Sequence, residues 1–527
     1  MQLTWIDIFL FLAFFLIVVS ISMYKSRKER TGEDFFLASR DLLWPFIGLS
    51  LIAANISTEH FVGMAGQGAS VAGMAVASYE WMAAICLVVV AIFFLPKFLK
   101  AGIFTIPEFL EYRYNTVARS LMAFYTMLIY VFVTISAVIY SGGLTLNTIF
   151  DIKMTYAIWM IGGIAALYTA WGGLKAVAWA DLFQGSALIL GGAITMVLGF
   201  IAVGGVGSFF EHNADKLHVI LPSNHSVLPW TALVIGLWIP NFYYWGLNQY
   251  ISQRTLAAKT LKQGQTGILF AAFLKLIIPF IIIFPGIMAF QLYSDQLTAP
   301  GATTDAAYPL LIRNLIPAGI KGLIFAAIAG AVISSLASML NSASTIFTMD
   351  IYKRLWKKQA SGHSLVTTGR IMTLVFVVIG CLIAPKLDHP SLQGIFTYIQ
   401  EFQGFISPGI LAAFVFGLIF KRAPAAAGVS SLILNPIIYG ILLVFFGNLP
   451  VFNDMGVTLG NIAFLNRMAI TFVLIVIVMA VITKLKPLKT PVKMPVRKEF
   501  DMTPSPLVKW LGIGIIAATV ILYIIFW

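Results

Sequence analysis

Apolar runs of about 20 residues recur from one end of this chain to the other. A helix rises about 1.5 Å per residue, so each run matches the roughly 30 Å hydrocarbon core of a bilayer. A chain of 527 residues would ordinarily divide into several soluble domains. With 60% hydrophobic and only 10% charged residues, it reads instead as one all-α polytopic membrane protein. About fourteen transmembrane helices are expected, at roughly 4–23, 44–72, 76–96, 117–146, 155–171, 177–203, 229–250, 265–293, 322–349, 367–384, 391–419, 424–446, 460–483 and 507–527. Several are longer than a perpendicular crossing needs, so tilt or kinks are expected.

The formal net charge of +13 invites a nucleic-acid reading, but the placement of the charges argues against one. Of the 34 Lys and Arg residues, 27 fall in the gaps on one side of the bundle, Arg254 among them. The positive-inside rule makes that side cytoplasmic and puts both termini outside. The basic excess is therefore orientation information, and no nucleic-acid partner is expected. The stretch 484–506, rich in Lys and Pro, reads as a cytoplasmic linker whose basic residues touch anionic lipid. Cys86 and Cys381 lie inside apolar runs and read as small buried side chains.

Two spans are interrupted by polar residues, and the interruptions fall in matching places. One reads Leu51-Ile52-Ala53-Ala54-Asn55-Ile56-Ser57-Thr58-Glu59-His60, the other Trp238-Ile239-Pro240-Asn241-Phe242-Tyr243-Tyr244-Trp245-Gly246. Hydrocarbon cannot satisfy a loose backbone, so such breaks survive only where they line a cavity or pack in protein. A pair of broken spans in the two halves of a chain points to the substrate site of a secondary transporter.

Ionisable residues at membrane depth cost roughly 2.5–3.5 kcal/mol each on insertion scales. Here they are Glu59, His60, Glu80, Asp181, Lys275 and Glu401. A lone His in an apolar stretch is more often a satisfied structural group, but His60 follows a break beside Asn55. Glu80 and Lys275 can be a buried ion pair that lets both be inserted. They can also hydrogen-bond a polyhydroxy solute, whose buried donors and acceptors each need a partner. Gln400, Asn241 and the Tyr243-Tyr244-Trp245 run fit that chemistry. Ser334, Ser338 and Ser342 repeat every four residues and share one helical face. Small hydroxyl residues usually serve close helix packing. The alternative is a hard-cation site, in which an unwound helix opposite Ser334 and Ser335 supplies oxygens to Na⁺.

Together these residues resemble the solute:sodium symporter family, and within it the sodium/glucose and sodium/galactose cotransporters. The similarity is carried by Leu51–Met64, Ala77–Met82, Tyr168–Leu174, Asn241–Lys259, Phe273–Pro279, Ile333–Tyr352 and Tyr398–Ile410. The resemblance implies an inverted five-helix repeat of the leucine-transporter type. Repeat one would cover 44–203 and repeat two 229–419, with 204–228 an extracellular loop. An additional N-terminal helix and loop would occupy 1–43, and three additional helices with the basic linker 420–527. It also implies sugar contacts at Asn55, His60, Glu80, Asn241, Lys275 and Gln400. The implied outer gate is Met64, Tyr140 and Phe396, and the implied inner gate is Tyr244 beside Trp245. The implied sodium site uses the carbonyls of Ala53, Ile56 and Ala331 and the hydroxyls of Ser334 and Ser335. Asp181 matches an acid on the ion-release path. Ala337 stands where two-sodium relatives carry a hydroxyl, which implies one sodium per sugar.

The expected function is sodium-coupled import of a neutral hexose, glucose or galactose, by alternating access across the plasma (inner) membrane. The rivals are the same machine with another cargo (inositol, a sugar acid, an amino acid) and a non-transporting sugar sensor or channel. Glu80 beside Lys275 favours a neutral polyol over a carboxylate. No enzyme is expected, because no nucleophile–base pair, metal cluster or phosphate loop appears.

Overall fold

The structure is a computed structural model. It describes residues 4–26, 32–57, 59–150, 152–225, 228–299, 302–317, 319–387, 395–447, 459–497 and 500–527. These residues form helices joined by short connections, with one isolated β-bridge between Leu42 and Ala258. Among the described residues, ten helices are long and apolar enough to cross a membrane. An eleventh span forms if Ile395–Gln403 and Ser407–Ile419, bent by 45°, count as one. Residues 391–394 of that expected span lie outside the described residues. Helix length therefore does not establish the expected count of fourteen. The expected spans 44–72, 155–171 and 229–250 contain no helix that passes by length, because each is shortened or broken.

The outer helices show their Leu, Ile and Phe side chains. Phe9, Leu16, Leu382 and Ile524 are all more than half exposed. Such surfaces are stable only against lipid, where the backbone is satisfied within each helix. The centre is different. The helix Ile320–Ile346 is buried along almost its entire length and is rich in Ala, Gly and Ser. Those small residues let neighbouring helices close in. A Cβ at Gly330 would stand 2.9 Å from Gln184, and one at Gly142 would stand 2.7 Å from Val332. The run Met154–Ala202 packs along this central helix and is kinked at Gly173, whose φ of 56° suits glycine.

Two expectations about the polar segments change. The second break lies later than the sequence suggested. Trp238–Phe242 and the wide turn Tyr243–Leu247 stay helical, and the chain opens at Asn248 (φ −80°, ψ 124°). The half-helix Gln249–Leu256 follows, so Arg254 is fully buried and not a charge at the water boundary. Arg40, Arg113 and Arg119 are buried as well. Arg113 donates to the carbonyls of Gly417, Phe420 and Ala423 at 2.7–3.1 Å, covering the end of Ser407–Ile419. The basic stretch after Leu485 is laid down as a strap. Leu488 and Val492 donate backbone N–H groups to the carbonyls of Arg422 and Lys421 at 2.9 and 3.0 Å. Further along, Arg497 N donates to Lys100 O at 2.8 Å, and Asp501 O accepts from Leu261 N at 3.0 Å.

Candidate functional site

The helix Trp44–Asn55 starts with Pro45 in its first turn and stops at the polar run. Ile56 is extended (φ −78°, ψ 101°), Ser57 bends, and the chain resumes as Glu59–Met64 and Ala65–Ala69. Thr58 lies outside the described residues. The first break therefore stands where the sequence placed it, and it is buried in protein: Ile56, Ser57 and His60 are at most 3% exposed.

On one side of the break sits the central helix. Ser335 Oγ donates to the carbonyls of Ala53 and Ala54 at 3.3 and 3.2 Å. These are carbonyls of the last helical turn before the break, the turn whose carbonyls a helix leaves without partners of its own. Ser334 Oγ donates to Asp181, which also accepts from Ser50 and pairs with Arg254 at 3.0 Å. Arg254 Nε in turn donates to Ser50 Oγ at 2.6 Å, and its guanidinium also reaches Ser338. Ala331 lies one turn before Ser335 on the same helix and is 2% exposed. The oxygens gathered here are hydroxyls and carbonyls, donors that suit a hard monovalent cation. Among the described residues, no group of three His, Cys, Asp or Glu side chains is placed to hold a metal ion. Asp181, matched above to an acid on the ion-release path, stands directly beside one of the two expected serine ligands and orients it.

On the other side lies a cavity whose empty space, counted to its open mouth, is about 440 Å³. Five of the six expected sugar contacts line it: Asn55, His60, Glu80, Asn241 and Gln400. Lys275 does not. It is fully buried behind the wall, bonded to Asn55 Oδ1 and Glu80, with its ammonium 4.7 Å from the centroid of the Trp245 ring. The ion-pair reading and the solute reading thus merge, since Lys275 fixes two side chains that face the cavity. His60 Nε2 stands 3.4 Å from Glu80 Oε1, and His60 Nδ1 is buried with no hydrogen-bond partner among the described residues. A buried ring nitrogen of that kind needs a hydrogen bond from whatever fills the cavity.

The aromatic residues divide by wall. Met64 and Phe396 line the cavity, and Tyr79 packs edge-on against Phe396 at 5.0 Å. Tyr140, expected beside them, is 8% exposed on Ser136–Phe150 and is not in the cavity wall. Tyr244 and Trp245 face from the second broken span. The Tyr244 hydroxyl accepts from Asn55 Nδ2 at 2.9 Å and is bonded to the Tyr250 hydroxyl beyond the Asn248 break. Asn55 thus ties the first break to the second.

Sequence reasoning missed Tyr79, Pro240 and Tyr250, and noted Glu59 without giving it a role. Tyr79 and Pro240 were within reach, being neighbours of Glu80 and Asn241. It also missed Ser50 and Arg254 around Asp181, the latter because its charge was counted as orientation signal. Glu401 was flagged as an ionisable group at depth. It pairs with Arg467 and accepts from Tyr439, each at 2.8 Å, which joins the bent span to the helices after it.

Comparison with known proteins follows the same lines. The sequence model of the sodium:solute symporter family matches residues 35–434. A sodium/glucose cotransporter of Vibrio parahaemolyticus is 41% identical over 486 residues, 87% of this chain and 88% of that protein. A sodium/myo-inositol cotransporter 2 of Sus scrofa is 34% identical over 472 residues, 83% of this chain and 70% of that protein. Among solved structures, a substrate-bound, outward-open Na⁺-coupled sialic acid symporter superposes with a TM-score of 0.80. It covers 94% of this chain and 100% of its own, at 24% sequence identity, which is a likeness of fold.

Proposed function

This chain belongs to the sodium:solute symporter family, and from that premise we propose that it imports a neutral hexose, glucose or galactose, with one sodium ion per sugar. It is a multi-pass membrane protein and a sodium-coupled symporter, not an enzyme. The observation that carries the finer reading is the position of Asn55. It lines the solute cavity, yet it is only two residues from Ala53, whose carbonyl Ser335 holds. A cation drawn to the oxygens of Ala53, Ile56, Ala331, Ser334 and Ser335 would therefore fix the segment that positions Asn55 and His60.

The steps follow as alternating access. Sodium from the basic-poor side settles at the break and orders the cavity. Sugar exchanges hydrogen bonds with Asn55, His60, Asn241 and Gln400 and donates to the Glu80 carboxylate, with an aromatic wall covering its CH face. Met64 and Phe396 close the outer side, Tyr140 backing them from the next helix. Opening past Tyr244 and Trp245 releases both to the other side. Moving one charge through 100 mV contributes roughly 2.3 kcal/mol, and a ~tenfold sodium gradient adds about 1.4 kcal/mol. One sodium therefore supports a sugar gradient of a few hundredfold.

The test is uptake of labelled glucose or galactose into proteoliposomes under an imposed sodium gradient, challenged with unlabelled glucose, galactose, mannose, fructose and inositol. Accumulation that ignores sodium would reject the coupling. Competition by inositol alone would favour the second reading, a myo-inositol carrier, which the Sus scrofa relative supports.

A further inference from the structure

Away from the solute cavity, at the basic end of the bundle, the strap and the last helix leave a cleft of about 980 Å³ counted to its open mouth. Three ammonium groups line it, those of Lys97 and Lys100 at the end of Leu95–Ala101 and Lys509 at the start of Val508–Ile525. Among the described residues, no carboxylate lies within 4.0 Å of any of the three. The charged neighbour of Lys97 is another lysine, Lys421. In the strap, the Asp501 carboxylate is turned onto the Thr503 N–H at 2.9 Å. Like charges held together without a counter-ion repel, so the arrangement calls for an anion.

Most of the rest of the cleft is apolar, Gln265 and Ser505 excepted. Ile92, Met502 and Val508 line it, and the wall is completed by the Pro504-Ser505-Pro506 turn, held by the bond from Ser505 N to Gln265 Oε1 at 2.9 Å. Its surroundings belong to the membrane boundary. Phe93 and Trp510 are 55% and 68% exposed beside it, and Lys509 Nζ lies 5.6 Å from the centroid of the Trp510 ring. Exposed Trp next to Lys at the end of an apolar helix marks the headgroup level. A free phosphate would satisfy the lysines and leave the apolar wall in water. A lipid satisfies both.

We propose that this cleft holds an anionic phospholipid, its headgroup phosphate among Lys97, Lys100 and Lys509 and an acyl chain along Ile92, Met502 and Val508. The bound lipid lies where three elements meet: Leu95–Ala101, the strap, and the final helix.

The test is native mass spectrometry of the purified full chain supplied with phosphatidylglycerol or phosphatidylcholine. Wild type is expected to retain one phosphatidylglycerol in preference to phosphatidylcholine. Each lysine beside an anionic lipid is worth roughly a fivefold gain in affinity. The combined Lys97→Gln, Lys100→Gln and Lys509→Gln variant should therefore bind phosphatidylglycerol about a hundredfold more weakly, with phosphatidylcholine unchanged. Equal retention of the two lipids by wild type, or undiminished phosphatidylglycerol binding by the variant, overturns the proposal. Displacement of the lipid by millimolar glycerol phosphate or inorganic phosphate overturns the lipid assignment in favour of a free-phosphate site. If the triple variant does not fold, Lys509→Gln alone and Ile92→Trp, which fills the tail groove and keeps every lysine, test the same claim: each should weaken phosphatidylglycerol selectively, and failure of both to do so refutes it.

Discussion

Lys275→Met removes a buried cation behind the solute cavity. Lys275 is fully buried and bonded to Glu80 and Asn55, so the substitution strands the Glu80 carboxylate with only His60 at 3.4 Å beside it. Breaking one partner of a buried pair costs about 3–5 kcal/mol, most of it the charge left behind. Glu80→Gln added on top removes that charge and keeps an amide beside His60. The double variant should then recover all but about 1–2 kcal/mol, the share left by the lost hydrogen bond to Asn55. Asn55 also loses the group that orients it, so sugar affinity in the double variant should stay reduced by roughly tenfold, equivalent to about 1.4 kcal/mol. Thermal unfolding of purified wild type, both single variants and the double variant closes a mutant cycle, and sugar titration of the same samples gives the affinities. A double variant as unstable as Lys275→Met, or one that binds sugar as wild type does, would refute the reasoning that the pair acts through Glu80 and Asn55.

Ser335→Ala takes away the hydroxyl that rests on the Ala53 and Ala54 carbonyls; the sodium concentration for half-maximal uptake should rise at least tenfold while sodium-free sugar binding changes little, as a paired titration would show. Asp305, in the short turn before Ala307–Leu315, is held up to about 7 by burial, against the pull of the Ile395 N–H. The folded chain therefore keeps a proton there that the unfolded chain releases near pH 4. Its contribution is complete below about pH 4 and is lost as pH rises to 7, amounting to about 4 kcal/mol; Asp305→Asn should flatten the melting temperature across that range. A Cβ at Gly404 would stand 2.1 Å from Tyr439 Cζ, at the bend between Ile395–Gln403 and Ser407–Ile419. Gly404→Ala should therefore cost about 1–3 kcal/mol by overpacking, and the same substitution made in a Tyr439→Ala background should cost little, as the same melts would show. Arg254→Ala leaves Asp181 buried with two serines and should lower stability by about 3–5 kcal/mol, measured by unfolding in detergent.

Much of the site was legible because membranes make polar residues informative. Asn55, His60, Glu80, Asn241 and Gln400 stood out against apolar spans, and all five line one cavity. Lys275 stood out too, but its depth behind Glu80 was not readable, because pattern gives the face of a helix and not the distance to a neighbour. Tyr140 shows the same limit. Arg254 failed for a different reason. A positive charge near a span end usually lies in water, and only the half-helix Gln249–Leu256 turning inward brings it to Asp181.

The sequence alone determined that this chain is an all-helical membrane protein with a break within 51–60, because apolar runs and polar interruptions act locally on backbone and lipid. Tertiary structure alone decided which polar groups meet: Ser335 on the Ala53 carbonyl, Asp181 on Ser334 and Arg254, Lys275 on Asn55. Those contacts join residues far apart in the chain. Their partners are chosen by how small-residue helices pack together, and that choice is made in three dimensions.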